Sequence, residues 1–136
     1  MKSLQDKFSN NPKQLFLLDA IGALVSAMML GVVLVHFQEF FGIDSNTLYF
    51  LASFPMLFAV IDIYGYLLTI KRIGRFLQLI ALLNLGYCLI SLGAVILLHE
   101  GISVLGWTYI LLEIIILLFL GMLEWQVGKG VLLIEK

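Results

Sequence analysis

Cysteine occurs once in this chain, at Cys88. A single thiol excludes an internal disulfide and any CxxC redox pair. Charge is scarce too: Asp, Glu, Lys and Arg make up 12% of 136 residues and leave a net charge of −1. No overall field therefore points to nucleic acid or an acidic partner. No phosphate-binding loop and no nucleophile–base constellation can be found along the chain. What remains is apolar. The hydrophobic share is 62% and mean hydropathy is +1.07. A soluble domain of this size has too little interior to hide that much apolar surface. A bilayer is the alternative solvent, and one helical crossing takes about 20 apolar residues.

Four such stretches are present, so the sequence predicts an all-α integral membrane protein. The first runs over 14–41, opening on Asn11 as a cap and Pro12 in the first turn and stopping at Gly42. Asp44 to Thr47 offers a turn and cap for a second span, 47–70. Lys71 to Arg75 forms a tight basic turn before a third span, 76–99. Ser103 can cap a fourth, 103–127, with Gly128 and Gly130 ending it. Residues 1–13 and 128–136 are left as tails. The first stretch is longer than the apolar core of a signal peptide and lacks a cleavage site, so it reads as an uncleaved span. Short connections predict consecutive antiparallel helices in an up-down bundle.

The placement of the cations supports that count. All eight Lys and Arg lie in the N-terminal tail, the second connection or the C-terminal tail. The first and third connections carry only acids. By the positive-inside rule, both termini face the cytoplasm, N-in and C-in. The basic turn needs no partner beyond topology and anionic lipid. The two halves share no alignable motif, so an inverted-repeat transporter within one chain is not supported.

Function then turns on the few polar residues inside the spans. The stretch Ile110–Phe119 sets Glu113 among nine apolar neighbours. An acid at a helix centre costs about 2.5–3.5 kcal/mol on insertion scales. No Lys or Arg lies within the predicted spans, so Glu113 and Asp62 must be protonated, hold a mobile cation, touch water or accept hydrogen bonds. At 100° per residue, Gly106, Tyr109, Glu113, Leu120 and Glu124 share a stripe. Asp19, Gly22, Ala23 and Ser26 share another. On the second span Pro55, Ala59, Asp62, Gly65, Tyr66 and Thr69 align; on the third, Ala81, Asn84, Tyr87, Cys88 and Ser91 do. Counting inward, Asp19, Tyr66 and Glu124 fall near the cytoplasmic side, Asp62 and Asn84 deeper, and Glu113, Tyr87 and Ser26 at the midplane.

The leading expectation is proton- or cation-coupled transport or conduction. Glu113 is its main site, Asp62 and Asn84 an inner relay, Tyr87 and Tyr66 hydrogen-bond tuners, and Asp19 a shallower member. The competing expectation is an accessory subunit, with the acids as neutral helix glue and the small faces packing against a larger membrane complex or a second copy. Glu124, Trp107 and Trp125 read as interfacial residues. Pro55 reads as a kink. A third expectation, not requiring any resident cofactor elsewhere, is an outer divalent-metal site from His36, Glu39, His99 and Glu100; two facing histidines could also hold haem.

Phe16 to Ala23, Glu39 to Gly42, Asn84 to Tyr87 and Leu112-Glu113 resemble stretches of small, uncharacterised four-span bacterial membrane proteins. The resemblance runs the length of the chain and implies an inner-membrane location and four helices, with no assigned activity. In size the chain is also similar to the small multidrug resistance transporters, dimers with a glutamate in the first span. It departs from them, because its first-span acid is Asp19 near one end and its central glutamate lies in the fourth span. Small four-span thiol oxidoreductases are excluded by the single cysteine.

Overall fold

The computed structural model describes residues 2–67, 73–97 and 100–135. Among the described residues there are helices and no strands. Hydrocarbon offers backbone groups no hydrogen bonds, and a helix satisfies its own, so this secondary structure follows from the composition. We number six helices: α1 (Lys2–Asn10), α2 (Lys13–His36), α3 (Gln38–Phe41), α4 (Ser45–Leu67), α5 (Ile73–Leu97) and α6 (Val104–Glu135). Four of them, α2, α4, α5 and α6, are long and apolar enough to cross a membrane.

The helix ends follow local chemistry, with some departures from the sequence reading. Pro12 stands before the first residue of α2, and the Asn11 side chain makes no capping bond. The backbone does that work instead: Gln14 N–H donates to the Asn11 carbonyl at 3.1 Å. The polar N-terminal tail is itself helical as α1, and its Phe8 is buried with Val127 and Val131 of α6. Inside α2, Met29–Val33 forms a π-type turn with an extra residue. Such turns rotate the face that follows. Beyond it, Leu34 is fully buried. The rod ends at Phe37 rather than at 41, and α3 fills the remainder up to Gly42.

Gly42 takes the left-handed conformation, φ 73°, and a side chain there would run into the Gly101 carbonyl. Asp44 caps α4: Thr47 donates its N–H at 3.2 Å and its hydroxyl at 2.7 Å. The Thr47 hydroxyl holds this carboxyl below its ordinary value of 3.8. Ser103 caps α6 by accepting from Gly106 N–H at 3.2 Å, and its own hydroxyl donates to the Phe40 carbonyl.

The fourth helix does not stop at Val127. It continues to Glu135, because Gly128 serves close packing and not termination. A Cβ at 128 would stand 2.8 Å from the Gly74 carbonyl oxygen.

The long helices pack as two close pairs, α2 on α4 and α5 on α6. Phe16 lies over Gly65 and Gly31 near Ala52, so contacts along the first pair run in opposite sequence order. The pairs meet more sparsely through α4 and α5, while the backbones of α2 and α6 scarcely approach each other. At one end of that gap α1 packs on α6; at the other, α3 does. Two apolar clusters fill the interior, one around Leu30, Leu51 and Ile110, the other around Phe16, Leu77 and Leu123. Outward faces carry Leu24, Val60, Leu89 and Ile115, all exposed as lipid contact requires.

Candidate functional site: a cleft between the first and last long helices

The gap between α2 and α6 is a cleft of about 320 Å³. Its depth follows from the pairing of helices. With α2 held to α4 and α6 held to α5, side chains of α4 and α5 form the floor, among them Pro55, Phe58, Asn84 and Tyr87. Pro55 is buried within α4, which remains one unbroken element. The α2 side offers Asp19, Gly22 and Ser26; the α6 side offers Tyr109, Glu113 and Leu120. The helical stripes read from sequence therefore converge for α2, α5 and α6.

Glu113 spans the gap. Its Oε1 accepts from the Ser26 hydroxyl on α2 and from the Tyr87 hydroxyl on α5, the latter at 3.3 Å. Its Oε2 is buried and has no partner. Tyr87 is positioned by rings of α4: Phe54 at 5.7 Å and Phe58 at 6.0 Å between centroids. One oxygen of the acid is thus held by two hydroxyls, and the other is buried and unpartnered.

A second group lies toward the other end of the cleft. The Asn84 side-chain amide donates to Glu124 Oε2 at 3.1 Å. The Asp19 carboxyl stands close to Glu124, Asp62 and Asn84. Asp62 is 0% exposed, and neither of its oxygens has a partner. It sits behind the cleft wall, beside Phe58, Ile80 and Asn84, in a space with no room for even a water-sized guest. Three acids and one amide thus gather from four helices. Like charges so close cannot all ionise in a low-dielectric interior, so at least some of these carboxyls are protonated.

Of the residues predicted from sequence, Glu113, Tyr87, Asn84 and Asp19 line one cleft, and Asp62 adjoins it. Tyr66 does not join them; it is 38% exposed on the outer side of α4. Glu124, read as interfacial, is 1% exposed and belongs to the inner group. Its position on the Glu113 stripe was a signal for this. Gly22 seats no other helix among the described residues. A side chain at Gly22 would meet nothing within 4 Å.

The outer residues His36, Glu39 and Glu100 are exposed, and His99 lies outside the described residues. Among the described residues no three His, Cys, Asp or Glu side chains gather as metal ligands would. The His36 ring instead packs edge-on against Phe37 at 4.8 Å. Buried Cys88 donates weakly to the Ile114 carbonyl at 3.9 Å and has no place in the cleft. No known protein family, curated protein or solved structure matches this chain.

Proposed function

We propose that this protein is a small membrane transporter or conductor coupled to protons or cations. In this reading it is an antiparallel up-down bundle in an inner membrane, with both termini cytoplasmic. The observation that carries it is the lining of a single cleft by Glu113, Asn84 and Asp19, from three different helices. Intramembrane acids that face a cavity mark ion and proton pathways as a rule. Glu113 is the central station, whose free oxygen binds and releases the transported charge. Ser26 and Tyr87 hold the other oxygen and so fix the carboxyl across the gap. Asp62 and Asn84 form the inner relay with the shallower Asp19, and Glu124 joins them. Tyr87 tunes Glu113 through its hydroxyl; Tyr66 has no role in this scheme.

The direct test is flux in liposomes under a pH gradient. The account expects Glu113→Gln and Asp62→Asn proteins, reconstituted at equal density, to fall to the level of empty vesicles. Parent-like flux in both would contradict it.

A further inference from the structure

We propose that a second groove, on the outer side of the α5–α6 pair, seats an acyl chain of an anionic phospholipid whose phosphate is held by Arg75 and Lys129. This rests on the embedding of the four long helices in a bilayer and not on the transport reading.

The groove has a volume of about 350 Å³. Small residues make its floor. Gly121 of α6 stands opposite Ala81 of α5, where a Cβ would lie 3.7 Å from the Ala81 carbonyl oxygen. Seven residues further along α6, Gly128 stands opposite Gly74, seven residues before Ala81 on α5. The two rods therefore keep one antiparallel register and run close together. Above that floor Leu82 and Leu85 form one wall, and Leu118, Met122 and Trp125 form the other. All five are exposed, so no side chain roofs the groove. Helix α1 packs on α6 beside Val127 and Val131, which lie on the face opposite Met122, and leaves the groove open. In a bilayer such a trough fills with hydrocarbon, because an empty one forfeits dispersion contacts along its lining.

The chemistry at one end decides which hydrocarbon. At 100° per residue, Lys129 falls between Leu118 and Met122 around α6, and Arg75 falls beside Leu82 around α5. Each wall thus ends in a cation, and both cations are exposed. The register sets Arg75 level with Val127, two residues or about 3 Å short of Lys129 along the pair. Trp125 and Gln126 line the groove at this same end. A hydrocarbon core takes about 20 helical residues, so a span opening at Val104 leaves it near Trp125 and carries Lys129 among headgroups. Tryptophan favours that boundary, with its ring in hydrocarbon and its N–H in reach of polar groups.

A guanidinium matches the oxygens of a phosphate, and a nearby ammonium adds a point charge. Phosphatidylcholine would bring its own cationic group against this pair. Phosphatidylglycerol carries none and keeps its negative charge for them. Glu124 does not neutralise the pair, since it is buried and takes the Asn84 amide on the inner side.

Trp125 is itself the probe. Trp107→Phe leaves it as the only tryptophan, and phospholipids brominated on the acyl chain quench an indole that they touch. The protein is reconstituted in phosphatidylcholine with a minor share of phosphatidylglycerol, and equal amounts of one lipid or the other carry bromine. Brominated phosphatidylglycerol is expected to quench with an apparent affinity roughly tenfold above that of brominated phosphatidylcholine, as two cations at an anionic headgroup imply. Arg75→Gln combined with Lys129→Gln should erase that preference. Lys7→Gln combined with Lys13→Gln, the same loss of charge on α1 and α2, should keep it. Soluble glycerol phosphate in excess should not release the lipid, because the chain supplies much of the hold.

Equal quenching by both lipids overturns the proposal. So does an equal loss of preference in the two double variants, which would show a diffuse surface field. Release by glycerol phosphate would show a free-phosphate site, and an unquenched Trp125 would show a groove filled by a second copy of the chain; either result overturns it too. None of these readings involves proton flux, so lost flux would remove the transport reading and leave this inference, and equal quenching would do the reverse.

Discussion

Glu113 and the inner group of Asp19, Asp62 and Glu124 are both acids in apolar surroundings, yet they are served very differently. Glu113 has two hydroxyl donors on one oxygen, a buried second oxygen, and an open cleft that the residue itself lines. The inner group has one amide for three carboxyls, and four of its oxygens are buried without a partner. An unpaired buried acid is costly, and a chain gains nothing structural from three of them. In the proposed transport reading, the first site holds a carboxyl in place while its charge changes, and the second keeps protons, since its acids can satisfy one another only by sharing them. The comparison teaches that burial alone does not define a role; the supply of donors and of free space does.

That contrast can be broken by substitution. The largest effect on stability is expected from Asn84→Leu, which removes the one amide from Glu124 and leaves a further buried acceptor unsatisfied. A loss of about 1–3 kcal/mol follows from the desolvation of such a group, read as a lower unfolding midpoint in detergent. Asp62→Leu should act in the opposite sense. Replacing a buried, unpartnered acid by an apolar side chain of similar volume is neutral or stabilising, by about 1–4 kcal/mol in comparable buried-ion replacements. A midpoint at or above the parent's, together with lost flux, would separate the acid's use from its cost. A marked drop would show that Asp62 has a structural partner. Smallest is Tyr87→Phe. It removes one of two donors to Glu113, and hydrogen bonds between membrane helices average about 0.6 kcal/mol. If its loss equals that of Asn84→Leu, the proposed difference between the two sites is wrong.

Much of this arrangement was legible before any coordinates. The four long apolar helices follow from run length, because hydrocarbon leaves the backbone few options. The caps at Asp44 and Ser103 follow from side chains that compete for orphan N–H groups. The shared faces of α5 and α6 follow from helical periodicity, which brings Tyr87 and Glu113 together.

What could not be read depends on contacts distant in sequence. Gly128 looks like a stop, yet opposite Gly74 it is a packing surface, and only the partner helix decides which. Tyr66 shares the arc of Asp62 on paper, but it falls at the rim and turns outward. Glu124 has the look of an interfacial acid, and only its neighbour Asn84 on α5 reveals it as buried. The π-type turn at Met29–Val33 carries no clear sequence mark, and it changes which residues beyond Ser26 face inward. The cleft itself arises because the backbones of α2 and α6 stay apart, and periodicity cannot report such a separation.

The central claim is that Glu113 stands in a space reached from the lipid, whereas Asp62 does not. Dicyclohexylcarbodiimide partitions into hydrocarbon and forms a stable N-acylurea with protonated carboxyls, so it can be applied to the protein in liposomes and located by peptide mass spectrometry. The account predicts modification at Glu113, suppressed in Gly22→Ile, with Asp62 left untouched. Modification of Asp62 in preference to Glu113, or an unreactive Glu113 in the parent protein, would contradict it.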